Sequence, residues 1–415
     1  MKVFKFGGAS IKSAAGVRNV AAILKRYTKD ELLVVVSAMG KTTNALEVIV
    51  TAGTTGKSFQ QELLALLAYH SRIVSELFGD GSPVQQELSY FFDEIQRKAQ
   101  LTGDIDMVYD QVVSMGELIS SFIVSRYLQA QGFEVQLADA RTYVATDTTF
   151  REGKVDWQKT EKQIAALAAV LKKKIVVTQG FIGSMPEGLT TTLGREGSDF
   201  TAAIFASCLD AESVTIWKDV PGVMNADPKR LPAATVFDEL PFQEAAEMTY
   251  YGASVIHPKT IKPLANKGIP LLVKNFEDPT LPGTIIHECR VEKLSPLVVF
   301  KDNQCLISCK VTDYTFVSEE QMGYIFQALS EKDIKINVMQ NSAISFSFCV
   351  DFRETKILPL VKYLGARFEV YYNTGLTLIT VKNYDQKTSH EYRSLPGVLL
   401  EQSSRSTLQV LVRNV

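Results

Sequence analysis

Short β-branched runs alternate with longer amphipathic stretches along most of this chain of 415 residues, and few folds accommodate that order. Strands that alternate with helices predict an α/β protein, a three-layer αβα sandwich around a mostly parallel sheet. The predicted strands are Val3–Phe6, Leu32–Ser37, Glu134–Leu137, Ile175–Gln179, Ser213–Trp217 and Pro270–Lys274. The predicted helices are Val17–Tyr27, Thr43–Ala52, Gln61–Leu77, Gln85–Gln100, Gln111–Gln129, Trp157–Leu171 and Thr201–Cys208.

The pattern changes after Pro282-Gly283-Thr284, where strands become more frequent. From Leu297 the order is strand, helix, strand, strand, helix, strand, which is that of a ferredoxin-like α+β unit with a partial second unit behind it. We predict a catalytic domain over 1–293 and a binding or dimerising region over 294–415. The second unit is expected to be abbreviated, because the chain stops at Val415 directly after a strand. The predicted elements are strands Cys305–Val311, Lys335–Met339, Ile344–Val350, Arg367–Val370, Thr377–Val381 and Leu408–Val412 and helices Glu319–Glu331 and Thr355–Leu364.

Composition excludes several classes of protein. A hydrophobic content of 46%, a charged content of 22% and a net charge of −2 are typical of a globular domain and argue against nucleic acid or a membrane surface as the main partner. The chain has no continuous apolar run of about 20 residues, so no membrane span is expected, and its start reads directly as a strand. The five cysteines are scattered, which predicts reduced thiols in a cytoplasmic protein and no metal site.

Two glycine-containing segments, Lys5-Phe6-Gly7-Gly8 and Gly194–Asp199, have the pattern of strand-to-helix turns. Glycine lets a backbone approach a phosphate closely, and a helix N-terminus favours negative charge. Because ligands of such sheets sit outside the carboxyl ends of the strands, both turns and Ser37-Ala38-Met39-Gly40 are expected to converge on one cleft. This arrangement predicts transfer of a phosphoryl group to a small acidic molecule.

Individual polar residues in these segments also have simpler interpretations. Lys5 and Arg195 could be surface cations, and Glu117 could be an acid in the first turn of a helix, where the dipole favours it. Asp199 could be an ordinary N-cap, and turn chemistry alone could explain Asp219. Together, however, Arg195 and Glu117 offer partners for an α-carboxylate and an α-ammonium, which favours an amino-acid substrate.

With these motifs the chain resembles the aspartate kinases of the amino acid kinase family. The matching segments keep their order over roughly residues 2–286. They are KFGGAS, VVSAMGKTTN, SMGELISS, GFIGS, TTTLGREGSDFTAA, IWKDVPGVMNADPK, YYGASVIHPKT and the pair Gly283-Thr284. The C-terminal region resembles the paired ACT modules that these enzymes use for dimerisation and for allosteric inhibition by end-product amino acids, which implies a homo-oligomer formed through this region.

The resemblance implies roles for residues at matching positions. Lys5, Gly8 and Asp199 would be catalytic, with Asp199 organising the lysine and the phosphates. The residues that would cradle the transferring phosphoryl group are Lys5, Gly7, Gly8 and Ser10. The residues that would bind aspartate are Ser37, Ala38, Thr43, Glu117, Arg195 and Ser198. The stretch that would bind the adenine nucleotide contributes Lys218, Asp219, Met224, Lys229 and Ser254.

The chain departs from the family pattern at several of these positions. Ala9 stands where threonine is frequent, and Glu196 replaces a frequent glycine although glutamate resists positive φ. Ser254 replaces a lysine that commonly reaches the nucleotide phosphates. Lys218 stands where threonine is usual, and we expect it to restore that charge from a neighbouring position.

Effector binding is implied for the C-terminal region. Asn337 and Gln340, with Ser342, fall at the predicted turn where the family binds its effector. An acid that is common in lysine-sensing relatives is absent, which argues against lysine as the effector.

The implied reaction is phosphorylation of the β-carboxylate of L-aspartate by ATP, with Mg²⁺ carried by the nucleotide, to give 4-phospho-L-aspartate. This is the first step toward lysine, threonine and methionine in the family. A carboxylate with a pKa near ~4 is already ionised at neutral pH, so no general base is required. The alternatives are another amino acid kinase, acting on glutamate or acetylglutamate, and a catalytically silent amino-acid sensor.

Overall fold

A computed structural model gives the structure of the chain and describes residues 1–253, 256–292, 294–313 and 315–413. The chain divides into two compact units. The first contains Met1–Val223, Val236–Ala246 and Val255–Val291, and the second contains Met224–Thr235, Glu247–Ser254 and Glu292–Val415. A single division between 293 and 294 stays a prediction, and two internal segments of the predicted catalytic domain group with the second unit.

The first unit is built on a mostly parallel sheet, as predicted. Its strands are β1 (Lys2–Phe6), β2 (Leu32–Val36), β3 (Val135–Ala138), β4 (Ile175–Gln179), β5 (Ile182–Ser184), β6 (Thr190–Thr192), β7 (Ser213–Lys218), β8 (Glu239–Pro241), β9 (Leu271–Asn275) and β10 (Thr284–His287). The described strands of the main sheet follow the order β3-β4-β2-β1-β7-β9-β10-β8, and β5 and β6 form a separate hairpin. Pairing is parallel from β3 to β9, whereas β10 runs antiparallel to β9 and parallel to β8.

Helices cover this sheet and complete the predicted sandwich. They are α1 (Ala14–Leu24), α2 (Thr42–Thr54), α3 (Gln60–Phe78), α4 (Pro83–Ala99), α5 (Ile105–Val113), α6 (Met115–Ala130), α7 (Ala140–Tyr143), α8 (Trp157–Ile164), α9 (Ala168–Leu171), α10 (Gly197–Cys208), α11 (Phe242–Tyr250) and α12 (Pro258–Lys267). Strand β2 is buried at every position, as expected for a central strand with both faces covered. The core packs β1 and β2 against residues of α1, α2, α3, α4 and α6.

The stretch that contains α5 and α6, Ile105–Ala130, is long and apolar enough to cross a membrane by length and composition alone. This finding qualifies the expectation that the chain has no such segment. Of the 18 most apolar consecutive residues of this stretch, 89% are buried inside the protein, as in the core helix of a globular fold. Glu117, in the first turn of α6, is one of these buried residues.

The second unit is an antiparallel sheet with helices. Its strands are β11 (Leu297–Lys310), β12 (Ile336–Asn341), β13 (Ser345–Asp351), β14 (Glu369–Lys382), β15 (Val398–Ser403) and β16 (Thr407–Arg413), and its helices are α13 (Glu319–Glu331), α14 (Glu354–Leu364) and α15 (Gln386–Arg393). The described strands follow the order β12-β13-β11-β14-β16-β15. The segments predicted as separate strands, Arg367–Val370 and Thr377–Val381, belong to one region in which β14 runs without a break.

Two bulges, one in β11 and one in β14, explain how side chains of these strands reach two different hydrophobic cores. Asn303 in β11 and Gly375 in β14 adopt positive φ, and the pairing register shifts by one residue beside each. An inserted residue reverses which side chains face each side of a strand. Odd-numbered residues such as Cys305 therefore meet the core under α13 and α14, whereas the even-numbered Val298 meets the core under α15. Ala226, from the segment 224–235, packs into that second core.

Candidate active site

The carboxyl ends of β1, β2 and β7 and the start of α10 border a cavity of about 640 Å³ in the first unit. It brings together the two glycine-containing turns and the 37–40 segment, which are far apart in the sequence. The residues that line it are Lys5, Gly8, Ala9, Ser37, Ala38, Gly40, Thr43, Tyr109, Glu117, Arg151, Glu152, Phe181, Thr192, Gly194, Arg195, Glu196, Gly197, Ser198, Asp199 and Lys218.

The turns after β1 and β2 are in direct backbone contact. The N–H of Gly40 donates a hydrogen bond to the carbonyl oxygen of Gly8, with an N···O distance of 2.9 Å. A Cβ atom at position 8 would lie 2.4 Å from the carbonyl oxygen of Ala38, so any side chain there would push the two turns apart. Glycine at this position therefore maintains the narrow floor of the cavity.

A nearly buried cluster of charges lies at the cavity wall. Nζ of Lys5 is 2.6 Å from Oδ1 of Asp199, and Nζ of Lys218 is 4.0 Å from Oδ2 of the same carboxylate. The Asp199 side chain is only 5% exposed, whereas that of Lys218 is 24% exposed. Two cations around one carboxylate leave an excess of positive charge, which suits the phosphate chain of a nucleotide.

Glu117 is positioned by the contact between α6 and the turn after β2. The N–H of Ala38 donates to Oε1 of Glu117 at 3.3 Å, and the N–H of Met39 donates to Oγ of Ser120 at 2.8 Å. Oε2 of Glu117 is buried and has no hydrogen-bond partner among the described residues. Burial raises the pKa of this carboxyl group to about 8. A buried carboxyl oxygen without a donor is suited to receive a cationic ligand.

In the turn before α10, glutamate adopts the positive φ that the sequence analysis expected to be unfavourable for it. Glu196 occupies the N-cap position of α10 with a φ of 53°, in the left-handed region. Its Oε2 accepts a hydrogen bond from the N–H of His257 at 2.9 Å, which ties this turn to the start of α12. His257 is itself the N-cap of α12, and its Nδ1 accepts from the N–H of Lys259. The contact with α12 offsets part of the conformational cost of glutamate at this position.

Arg195 presents its side chain to the cavity from this turn. It is exposed and forms no ion pair within the part of the chain that the structure describes. An exposed guanidinium beside the cavity can receive a carboxylate in a bidentate manner.

Comparison with known proteins identifies the fold family. Residues 1–275, about two thirds of the chain, match the amino acid kinase family. The chain belongs to this family.

Curated relatives of this chain include aspartokinases. It is 31% identical over 389 residues to the chloroplastic bifunctional aspartokinase/homoserine dehydrogenase 2 of Arabidopsis thaliana, a match that covers 90% of this chain and 42% of that protein. It is also 31% identical over 362 residues to the lysine-sensitive aspartokinase 3 of Escherichia coli, covering 84% of this chain and 78% of the enzyme. The chain thus spans less than half the length of the bifunctional relatives.

Solved structures agree with this assignment. The fold superimposes on E. coli aspartokinase III in complex with aspartate and ADP (R-state) with a TM-score of 0.83 and 28% identity. The match covers 100% of this chain and 96% of that chain, and the complex of the same enzyme with lysine and aspartate (T-state) gives the same values. The αβα sandwich and the C-terminal α+β region predicted from the sequence are both part of this shared fold.

Most of the residues predicted to bind substrate or nucleotide line the cavity. Those that do are Lys5, Gly8, Ser37, Ala38, Thr43, Glu117, Arg195, Ser198, Asp199 and Lys218. Gly7 and Ser10 do not line it, and the hydroxyl group of Ser10 instead points to the carbonyl oxygen of Trp217 at 3.5 Å. The roles of all these residues stay predictions.

The predicted nucleotide residues are only partly brought together. Asp219 is exposed on the turn after β7 and does not line the cavity. Met224 and Lys229 belong to the second unit, and Ser254 lies outside the described residues. Of the residues predicted for the adenine-nucleotide stretch, Lys218 is the one that lines the cavity within the described part of the chain.

The expectation that Asn337 and Gln340 lie at a turn is wrong. Both belong to β12, which stays paired with β13 as far as Asn341 and Phe346. Asn337 donates to Oδ1 of Asp351 at 2.9 Å and accepts from Nζ of Lys301 at 2.8 Å. The turn itself begins at Ser342, whose hydroxyl contacts that of Ser345.

Sequence reasoning missed two features of the cavity wall. Phe181 has a φ of 71° and places an aromatic ring at the cavity. Asp110 is fully buried, and its Oδ2 accepts from the N–H groups of Arg151 and Thr192, both at 2.9 Å. The partners of Asp110 are 41 and 82 residues away, so no local pattern could have revealed this contact.

Proposed function

We propose that this protein transfers the γ-phosphoryl group of ATP to the β-carboxylate of L-aspartate, giving 4-phospho-L-aspartate and ADP. The observation that carries the proposal is the meeting of Glu117 and Arg195 with the Lys5–Asp199–Lys218 cluster in one cavity. The similarity to an aspartokinase crystallised with aspartate and ADP supports the same reaction.

Two charged side chains of the cavity wall, Arg195 and Glu117, would bind the α-carboxylate and the α-ammonium of the amino acid. The exposed Arg195 guanidinium would receive the α-carboxylate, and the buried Glu117 oxygen that lacks a donor would receive the α-ammonium. These contacts aim the remaining β-carboxylate away from Arg195 and Glu117, toward the Lys5 end of the cavity. The smaller residues Ser37, Ala38, Thr43 and Ser198 would complete the aspartate pocket.

The chemical step needs positioning and charge neutralisation. A β-carboxylate oxygen attacks the γ-phosphorus, and the bond between that phosphorus and the bridging oxygen breaks with its electron pair leaving on ADP. No proton moves, because the attacking carboxylate is already ionised. Lys5 and Lys218 reduce the repulsion between the two anions, while the backbone of Gly8 allows close approach.

Mg²⁺ is proposed to enter with the nucleotide. Two of the cavity carboxylates are already engaged, Asp199 by two lysines and Glu196 by the N–H of His257. Mg²⁺ usually keeps several waters and binds substrate phosphates with one or two carboxylates at most. Its contribution would be to neutralise charge on the phosphate oxygens, and we assign no side chain to it.

Substitution of Lys218 by alanine tests the proposed compensation for Ser254. We expect the KM for ATP to rise by about 10-fold to 100-fold, since a hydrogen bond to a charged group contributes about 1.5–3 kcal/mol. Lys267→Ala, which removes an exposed cation paired with Asp210 on the same unit, is the control and should leave the KM unchanged. Equal ATP kinetics in Lys218→Ala and the unmodified protein would refute the compensation.

A hydroxylamine-trapping assay tests the reaction itself. Purified protein with ATP and Mg²⁺ should form hydroxamate and ADP in equal amounts when L-aspartate is present. Glutamate and acetylglutamate are the comparison substrates, because they differ from aspartate by chain length or by a blocked amine. Preferred turnover of either one, or absence of aspartate-dependent ADP release, would overturn the proposal.

The second unit is proposed to assemble the chain as a homo-oligomer and to bind an end-product amino acid. The E. coli enzyme that shares this fold has been crystallised with lysine. In this chain Asn337, one of the residues predicted to bind the effector, contacts Lys301 and Asp351 in a mixed polar cluster. Calorimetric titration of the protein with lysine, threonine and methionine separates the possible effectors.

A further inference from the structure

Three potential metal ligands meet on the first unit, away from the proposed active site. Glu239 lies on the edge strand β8, His287 ends β10, and Cys289 follows two residues later. Their ligand atoms all lie within 4.8 Å of one another, and Nε2 of His287 is 3.1 Å from Oε2 of Glu239. None of the three lines the cavity of about 640 Å³.

The strand pairing explains why these side chains converge. β10 pairs in parallel with β8, with Ile285 opposite Glu239 and His287 opposite Pro241. Side chains two residues apart along a strand share one face, so Glu239 and His287 are diagonal neighbours on the same side. Cys289 continues the spacing of His287 beyond the end of the strand. Within the described residues, no other group of three such side chains brings its donors this close.

We propose that Glu239, His287 and Cys289 bind Zn²⁺. Imidazole, thiolate and carboxylate are the ligand types of zinc, with bond lengths of about 2.0–2.3 Å. Tetrahedral bonds of these lengths place neighbouring donors about 3.3–3.6 Å apart, so side-chain adjustments of about 1 Å close the site. The two negative ligands balance the charge of the ion, and the exposure of Glu239 leaves a fourth position for water.

A simple ion pair between His287 and Glu239 is the competing interpretation. It accounts for their distance but gives no role to Cys289, which has a thiol within reach of both. The ion would also join the edge strand β8, only three residues long, to the segment that follows β10. Since a bound metal favours the folded form, Zn²⁺ should hold this edge of the sheet together.

Co²⁺ is the spectroscopic probe for this site, because a cobalt–thiolate bond absorbs in the near ultraviolet. Titration of the full-length reduced protein with CoCl2 should give one equivalent of bound ion with that absorption, and ZnCl2 should displace it. Cys289→Ser should abolish the absorption, and His287→Ala and Glu239→Gln should each weaken binding at least tenfold. Cys208→Ser, which alters another half-buried thiol on the first unit, is the matched control.

Alkylation by iodoacetamide, followed by mass spectrometry, gives a second readout. Zn²⁺ should slow modification of Cys289 at least tenfold and leave the rate at Cys208 unchanged. Cobalt binding without thiolate absorption, equal binding in Cys289→Ser, or equal alkylation rates with and without Zn²⁺ would each overturn the proposal. These readouts do not involve ATP or aspartate, so they are independent of the proposed kinase reaction.

Discussion

Replacement of Lys5 by alanine is expected to lower kcat by about 10²-fold to 10³-fold, which corresponds to about 2.7–4 kcal/mol of lost transition-state stabilisation. The physical reason is the place of its ammonium group, 2.6 Å from Asp199 at the cavity wall, where the proposed reaction would develop charge on the phosphoryl oxygens. Single-turnover kinetics with saturating ATP and aspartate measure the chemical step without product release.

Lys2→Ala is the control for this variant, because Lys2 lies on the same strand and pairs with Asp30. It should retain full activity. Among the described residues, loss of Lys5 leaves Lys218 at 4.0 Å as the ion-pair partner of the buried Asp199 carboxylate, so we also expect Lys5→Ala to be less stable. The double variant Lys5→Met/Asp199→Asn removes both charges and should fold while remaining inactive. A loss in kcat of less than about tenfold in folded Lys5→Ala would contradict the proposed role.

The second large effect is expected for Glu117→Gln. The KM for aspartate should rise by about 10-fold to 100-fold, because a charge-assisted contact with the substrate ammonium is replaced by a neutral one. Burial raises the pKa of Glu117 to about 8, so the ligand-free protein is mostly protonated at this site at pH 7. Aspartate would bind the ionised form and release a proton.

The sign of the pH dependence follows from this linkage. In the unmodified protein the KM for aspartate should fall as the pH rises from 6 toward about 8 and then level off. In Glu117→Gln the KM should be independent of pH over this range. Initial rates at several aspartate concentrations and pH values measure both profiles, and Glu87→Gln, an exposed acid paired with Arg126, serves as the control. A parallel pH profile in Glu117→Gln and the unmodified protein would exclude the assignment.

The free energy of unfolding of Glu117→Gln distinguishes a role of Glu117 in binding from a purely structural role. The folded-state pKa of Glu117 is raised above its ordinary value of 4.5, so the free energy of unfolding should fall as the pH rises from about 4.5 to about 8. Glutamine has no such ionisation and should make the ligand-free protein equally or more stable at pH 8. A variant that binds aspartate poorly while melting at the same or a higher temperature would identify Glu117 as a ligand-binding group.

The regular part of the fold could be predicted because it depends on local pattern. The buried run Ile175–Gln179 forms a strand at the predicted bounds, and Glu319–Glu331 forms a helix at its predicted bounds with a capping box at Ser318. The long strand β14 was missed because Gly375 and its neighbours are typical of a turn. In the structure Gly375 makes a bulge within the strand, which only the partner β11 specifies.

The candidate site could be predicted where glycine, charge and strand ends coincide, as at Lys5, Gly8 and Arg195. The convergence of these strand ends on one cleft was predicted, but the individual hydrogen bonds between distant segments could not be. The carboxylate of Glu196 meets the N–H of His257 61 residues away, and this contact makes a left-handed glutamate tolerable. The Glu239–His287 pair is separated by 48 residues, so its approach to Cys289 appears only once β8 and β10 are paired.

The unbroken course of β11 and β14 has a mechanical consequence for the second unit. β11 and β14 pair with each other along most of their length, while β11 also pairs with β13 and β14 also pairs with β16. The chain between β11 and β14 forms the half of the sheet that contains β12 and β13. Because two continuous strands join them, the half that contains β12 and β13 cannot slide against the half that contains β16 and β15. A ligand that changes the twist of β11 or β14 next to β13 would therefore also change the twist next to β16.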